Sequence, residues 1–288
     1  MQKVPYNRFR KYLGKKRRCI VCNSNTKNTN WAIDKYFKAI KCKKCGMISI
    51  DPGLNEEGLK EYYQNNMTRR IVQARKMKLR KKQYIIDKNF IERVVSKGKV
   101  LDVGCGGGVF LSVLDKNFNK YGIDLDNDAI NFGKKQYNFN FQVVEIGNDS
   151  FSKESFDLII FRGVIEHMYD PRKAIKRSSE LLKKKGKLFF SATPNADSFA
   201  AQIFREKWNL WHPIQHINIF SPVTLEKLCN QFNFKKIDEQ YPYIETPYVD
   251  LKNDYNKMRK LIKINSKNFK GFTPPFWGNM MSIIFEKN

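Results

Sequence analysis

The 288-residue sequence contains no apolar run near the roughly 20 residues needed to cross a bilayer. Its basic start, Met1 to Lys16, has no apolar stretch of the kind that forms a secretory signal. The expectation is therefore a soluble, cytoplasmic chain without membrane insertion. Gly-Lys-Ser and Gly-Lys-Thr are absent, which removes the phosphate-cradling Walker loop. Repeats and low-complexity tracts are missing too. Histidine is scarce: His167, His212 and His216 are the only three, all in the second half. Acids are outnumbered, with 28 Asp and Glu against 54 Lys and Arg, a net charge of +26.

That charge is uneven. Residues 1–100 hold 27 basic and 7 acidic side chains, and eight of the basic ones fall between Arg69 and Lys82. A polyanionic partner is one reading: nucleic acid, a membrane surface or a phosphate-bearing substrate. A compositional habit is the other, because the whole chain is rich in Lys, Asn and Ile.

Four of the six cysteines are paired at short spacing, Cys19-x2-Cys22 and Cys42-x2-Cys45. Two such knuckles about 20 residues apart suit a tetrahedral four-thiolate zinc site. Gly46 follows where a knuckle turn needs a positive φ. Two disulfides or a redox pair are the alternatives. Four thiolates leave no open position, so this zinc is structural. Short strands are predicted at Trp31–Ile33 and Tyr36–Ile40, and Asp51-Pro52-Gly53 is read as a turn closing a ribbon over 1–54. Residues 55–97 read as a helical linker that covers the cleft, with a long basic helix over Thr68 to Val95.

From Lys99 the pattern alternates strand and helix, which predicts an α/β doubly wound sheet over 98–288. The predicted strands are Val100–Val103, Lys120–Ile123, Phe141–Val144, Phe156–Phe161, Lys187–Ala192, Phe234–Ile237 and Met280–Phe285. One helix opens at Asp170-Pro171, buries Ala174, Ile175, Ser178, Leu181 and Leu182, and is expected to end at Gly186. Another opens at Ser221-Pro222.

The stretch Asp102-Val103-Gly104-Cys105-Gly106-Gly107-Gly108 links the first strand to an apolar segment read as a helix. Such a loop lets backbone amides approach a ligand. Its third glycine comes one residue early for a dinucleotide fingerprint. Asp124 follows at the end of the next strand, where a carboxylate grips a ribose diol.

These segments, with Gly122-Ile123-Asp124, Phe156–Ile160, Val164-Ile165-Glu166-His167 and Leu182–Leu188, resemble class I S-adenosylmethionine-dependent methyltransferases over residues 98–235. The resemblance implies a Rossmann-like seven-stranded sheet with its last strand antiparallel. It also implies that Asp102, Gly104, Cys105, Gly106, Gly108, Asp124, Leu125, Glu145 and Arg162 surround the cofactor. Cys42–Met47, Tyr62-Tyr63, Thr193-Pro194-Asn195 and the segment from Trp208 to Pro222 resemble methyltransferases of bacterial sugar and surface-glycan pathways. In that subgroup an insertion near 193–220 builds the acceptor side.

Methyl transfer to a hydroxyl needs alignment and removal of a proton. His216 is the first candidate for the base, with His167 and Glu166 as further catalytic candidates. The Glu166–His167 pair could instead hold a divalent metal, as in some ubiquinone-pathway O-methyltransferases. Trp208 and Trp211 either stack on a sugar or base or pack a lid. The expected acceptor is a sugar or nucleotide-linked sugar, on oxygen or nitrogen. The rival is an rRNA or tRNA methyltransferase that grips phosphates through the ribbon and the basic face. Against it stand Phe161-Arg162-Gly163-Val164 in place of an Asn-Pro-Pro-Tyr-like motif, and the absence of a Pro-Cys nucleophile. A domain that only binds the cofactor is a third reading.

Overall fold

The computed structural model describes residues 6–14, 17–25, 29–66, 74–263 and 271–288. Seven strands build the main sheet: β4 (Gly98–Val103), β5 (Phe118–Asp124), β6 (Asn140–Val143), β7 (Phe156–Arg162), β8 (Leu182–Pro194), β10 (Phe234–Gln240) and β11 (Met280–Lys287). Their order is β10-β11-β8-β7-β4-β5-β6. All neighbours are parallel except β11, which runs antiparallel to both β8 and β10. This is the Rossmann-like doubly wound sheet expected from the sequence, last strand included.

The strands read as continuous apolar runs because both faces are covered. On one face Leu101, Val103, Ile159 and Phe161 pack on α4 (Pro171–Leu181) and α6 (Pro222–Asn230). On the other, Val100, Leu158 and Ile160 meet Phe90 and Ile91 of α2 (Ala74–Glu92) and Ile130 of α3 (Asn127–Gln136). Asp170 caps α4 by accepting from the Lys173 amide, and Pro171 opens it. Ser221 and Thr224 form a capping box at α6.

Two predicted boundaries move. The helix α4 stops at Leu181 rather than Gly186, because Leu182 is already extended and pairs with Phe156. The register is then broken until Lys187 pairs with Leu158, so Gly186 sits within β8. The apolar stretch after the glycine loop forms only a single 3-10 turn at Leu111–Val113. Leu114 turns extended and β5 begins at Phe118, which leaves no length for a longer helix. Of the predicted helix from Thr68 to Val95, the part over 68–73 lies outside the described residues; α2 forms the rest as far as Glu92, and 93–95 turn away toward β4.

The N-terminal cysteine region forms β1 (Thr29–Ile33), β2 (Lys38–Lys41) and β3 (Ile48–Ile50). The strand β3 was not foreseen in the sequence. It pairs antiparallel with β9 (Asn218–Ile219), a strand of the later insertion, through Ile48 with Ile219 and Ser49 with Asn218. One four-stranded sheet, β1-β2-β3-β9, thus spans both parts of the chain. Trp31, Phe37 and Ile48 pack with Trp208, Leu210 and Ile219 beneath it. A further helix, α1 (Glu56–Asn66), begins at Asn55, whose side chain accepts from the Gly58 amide.

The helix α2 is pinned to the sheet by an ion pair. Arg162 Nε donates to Asp87 Oδ2 at 2.7 Å, with Asp87 only 1% exposed. Burial works against the Arg162 charge, but Asp87 together with Tyr84 and Tyr248 outweighs it and the guanidinium pKa is raised. The same guanidinium lies 4.2 Å from the Tyr84 ring centroid. Removing one member of such a pair leaves the other charge buried alone. Asp87→Ala is expected to lower unfolding free energy in urea by about 3–5 kcal/mol. Loss of the exposed Glu56–Lys60 pair in Glu56→Ala should cost less than about 1 kcal/mol.

Candidate functional site

The C-terminal ends of β4, β5 and β7 open onto a cavity of about 510 Å3. This is where an open parallel sheet binds ligands. Asp102, Gly104, Cys105, Gly106, Asp124, Leu125, Glu145 and Arg162 all line it. Gly104 and Gly106 have φ of +72° and +52°. A Cβ at Gly106 would meet no atom within 4 Å, so the backbone there faces open cavity. Gly108 differs. It is not in the wall, and a side chain there would collide with the Phe141 ring. Its role is packing of the loop on β6.

Asp124 clasps this loop. Its Oδ2 accepts from the Gly106 amide at 2.7 Å and its Oδ1 from the Asp126 amide at 2.9 Å. Burial nevertheless raises its pKa. Asp102 is 2% exposed, and burial pushes it up to about 8, with Arg162 pulling it down and Asp124 raising it. Asp126, which caps α3 through its Oδ1, leaves Oδ2 without a partner among the described residues. Three carboxyl groups therefore meet at the glycine loop. They would repel a phosphate, and they suit a ligand that brings positive charge and hydroxyls.

Across the cavity stand the histidines. His167 is in the wall; His216 and Glu166 are buried behind it. His167 Nδ1–H donates to the Gln215 carbonyl at 2.9 Å, and His216 Nδ1–H to the Leu210 carbonyl at 3.0 Å. Their ring centroids are 4.8 Å apart, and His212 lies 5.1 Å from His216. Glu166 Oε1 is 3.8 Å from His167 Nε2, and its Oε2 has no hydrogen-bond partner among the described residues. Burial pushes Glu166 up to about 8. One donor atom from each of Glu166, His167 and His216 falls within 4.8 Å of the others, a spacing a metal ion could bridge.

Several wall residues were not singled out in the sequence. Tyr84 and Asp87 come from α2, Asp126 follows Asp124, and Gln215 sits beside His216. One of only two acids among the basic and apolar residues of α2, with Glu92 the other, was the available sign for Asp87. Trp208 and Trp211 are not in the wall. Trp208 Nε1 donates to Asn279 Oδ1 at 3.2 Å and its ring packs with Trp31 and Phe37, while Trp211 Nε1 donates to Asp34 Oδ2 at 2.8 Å, so both tryptophans pack the joint with the cysteine region.

There the four thiols converge. All four Sγ atoms lie within 4.8 Å of one another, with Cys19–Cys45 at 3.4 Å and Cys22–Cys42 at 3.6 Å. Zinc–sulfur bonds of about 2.3 Å at tetrahedral angles place sulfurs about 3.8 Å apart. The two knuckles repeat one hydrogen-bond pattern. Asn23 N–H donates to the Cys19 carbonyl and Gly46 N–H to the Cys42 carbonyl, at 2.8 and 2.9 Å. Asn23 and Gly46 both have positive φ. No disulfide joins any of the six cysteines. The donor set fits a structural zinc ion.

Residues 67–239 match the sequence model of the methyltransferase-domain family. The chain belongs to the methyltransferase-domain family. Ubiquinone biosynthesis O-methyltransferase from Coxiella burnetii is 37% identical over 107 residues, 35% of this chain and 46% of that one. The chain thus spans about half the length of such curated relatives. The fold is similar to a chain in the complex between the Haloferax volcanii Trm112 methyltransferase activator and a methyltransferase, with TM-score 0.59 and 12% identity over 79% of this chain and 96% of that one. It is also similar to a SAM-dependent methyltransferase of Thermotoga maritima, with TM-score 0.53 and 15% identity over 80% and 99% of the two chains. No helix among the described residues is long and apolar enough to cross a membrane.

The buried carboxyls give the methyltransferase domain a pH signature. Between the unfolded value near 4 and about 8, native Asp102 and Glu166 each hold a proton that the unfolded chain has released. Rising pH therefore favours unfolding across that window, and the penalty is complete above about pH 8. Thermal melts of the ligand-free protein should fall from pH 6 to pH 8, and Asp102→Asn should flatten the slope. An unchanged slope would show that Asp102 ionises normally in the fold.

Proposed function

We propose that this chain is an S-adenosylmethionine-dependent methyltransferase that methylates a hydroxyl of a small acceptor. One observation carries the reading: Asp102, Asp124 and Asp126 converge on an open glycine loop inside a cavity large enough for a nucleoside and an acceptor. Asp102 would pair with the α-ammonium of the cofactor. Asp124, already fixed by two backbone amides, would receive the ribose diol. Leu125 and Glu145 would border the adenine. When bound, the cofactor supplies a methyl group on a sulfonium, open to in-line displacement.

The chain's own groups do the rest. Arg162 is tied to Asp87 and Tyr84, so it closes the wall and holds α2 over the cleft. His167 would take the proton of the acceptor hydroxyl. Its Nδ1–H is spent on the Gln215 carbonyl, which leaves Nε2 as the basic nitrogen. The acceptor oxygen bonds to the methyl carbon as the carbon–sulfur bond breaks, and the proton passes to the imidazole. His216, the first choice from the sequence, stands behind His167 and positions it through ring contact. Similarity to relatives named as O-methyltransferases supports oxygen as the acceptor atom. Tyr63, Tyr84, Tyr169 and Tyr248 in the wall suit a flat acceptor, a sugar face or a phenol.

A second reading is favoured by the convergence of Glu166, His167 and His216: a divalent cation there would lower the pKa of the acceptor hydroxyl. RNA remains the rival acceptor. Most of the Arg69–Lys82 run that motivated it lies outside the described side chains.

Calorimetry with the cofactor and turnover with a labelled methyl donor test the proposal. Asp124→Ala is expected to abolish cofactor binding. His167→Ala should retain binding within about threefold while turnover falls about 10²–10⁴-fold. Loss of turnover to a chelator with the cysteine-bound metal retained would favour the cation. Unaltered turnover in His167→Ala, without chelator sensitivity, would contradict both assignments.

A further inference from the structure

Around the mouth of the cavity the surface changes character. Pro242, Thr246 and Tyr248 line the cavity from one segment and Pro274 and Pro275 from another. Between and beside them large apolar side chains face outward. Ile244 is 66% exposed, Leu251 49%, Tyr255 63% and Trp277 71%. These residues belong to one rigid unit. Buried Asp254, on α7 (Leu251–Lys263), accepts from Tyr243 Oη at 3.0 Å, from the Thr273 amide at 2.8 Å and from Thr273 Oγ1 at 2.5 Å. The Tyr243 and Phe276 rings meet edge to face at 5.5 Å.

The exposed side of α7 carries Leu251 and Tyr255 four residues apart, with Lys252, Arg259 and Lys260 beside them and no acid. Nearby, Arg80 of α2 lies close enough to Tyr248 to act on its hydroxyl. The exposed acids of the unit are Glu245 and Asp250. Glu245 accepts from the Tyr243 amide and Asp250 from the Asn253 amide. An exposed helix face of aliphatic, aromatic and cationic residues is the composition that lies in a lipid headgroup layer. The net charge of +26 supplies the long-range attraction to an anionic surface.

We propose that α7 and the segments around Ile244 and Trp277 dock on an anionic phospholipid surface, with the cavity mouth turned toward it. Ile244 and Leu251 favour lipid over single-stranded nucleic acid, since stacking on bases needs rings and these have none. The protein lies on the surface rather than in the bilayer. A cavity that opens onto the interface would receive acceptors dissolved in the membrane. That consequence rests on the methyltransferase reading, whereas the docking itself does not.

The test is vesicle flotation of the full chain, which needs no turnover. Vesicles of phosphatidylcholine alone are compared with phosphatidylcholine mixed with phosphatidylglycerol. The protein is expected to float with the mixed vesicles, and its tryptophan emission to shift to the blue. Ile244→Ser with Trp277→Ser should weaken flotation by about tenfold. The same pair should abolish the shift and leave the melting temperature unchanged. Lys252→Gln with Arg259→Gln should weaken flotation by about tenfold through charge. No flotation would overturn the proposal, as would flotation insensitive to the apolar pair. So would a solution dimer, or tight RNA binding, that the apolar pair disrupts.

Discussion

The rest of the site depends on a short stretch of backbone pairing between β3 and β9. Ile48 faces Ile219, Ser49 faces Asn218, and the Ile50 amide adds a bond to the Ile217 carbonyl at 3.1 Å. His216 lies immediately before these residues. Asn218 Nδ2, buried at the seam, donates to the Met168 carbonyl at 2.6 Å and so holds the chain just after His167. The two histidines therefore inherit their places from the pairing. The pairing in turn depends on the hairpin that carries Cys42 and Cys45, because β2 and β3 frame that knuckle. A four-thiolate metal ion would contribute about 10–16 kcal/mol to ordering a region too small to fold on its own core. If His167 and His216 form the acceptor side, as proposed, the cysteine cluster would brace that side of the cleft without offering an open coordination position.

The cofactor side is held by a different logic. Asp124 spends one oxygen on the Gly106 amide and the other on Asp126. Asp102 is left buried beside it at a pKa of about 8. Burying an unpaired carboxyl lowers stability in the free protein. The same arrangement would become favourable with a cationic group placed against Asp102. The Asp87–Arg162 pair ties α2 to the end of β7 at the cavity wall.

What the sequence made legible was local. Continuous apolar strands, the Asp102-to-Gly108 loop, Asp124 and the two CxxC knuckles each declare themselves within a few residues. The caps at Asp170 and Ser221 do as well. What it hid was pairing across long separations. Asp87 and Arg162 are far apart in the chain, and nothing local links β3 to β9. His216 shows where neither kind of signal suffices: its segment is legible, but only tertiary packing decides that His167 stands in front of it. The short turn at Leu111–Val113 was misread as a helix because an apolar run after a glycine loop has the same composition in both. Only the start of β5 at Phe118 sets its length.

If the cysteine cluster braces His167 and His216 while Asp102 and Asp124 are held separately, its loss should divide binding from turnover. Cofactor affinity and methyl-transfer rate measured side by side in Cys42→Ser would show this. Affinity should hold within about threefold, since Asp102 and Asp124 sit on β4 and β5, while turnover falls at least about 10²-fold as His167 and His216 lose their frame. Equal loss of both, or full turnover in the variant, would rule the brace out.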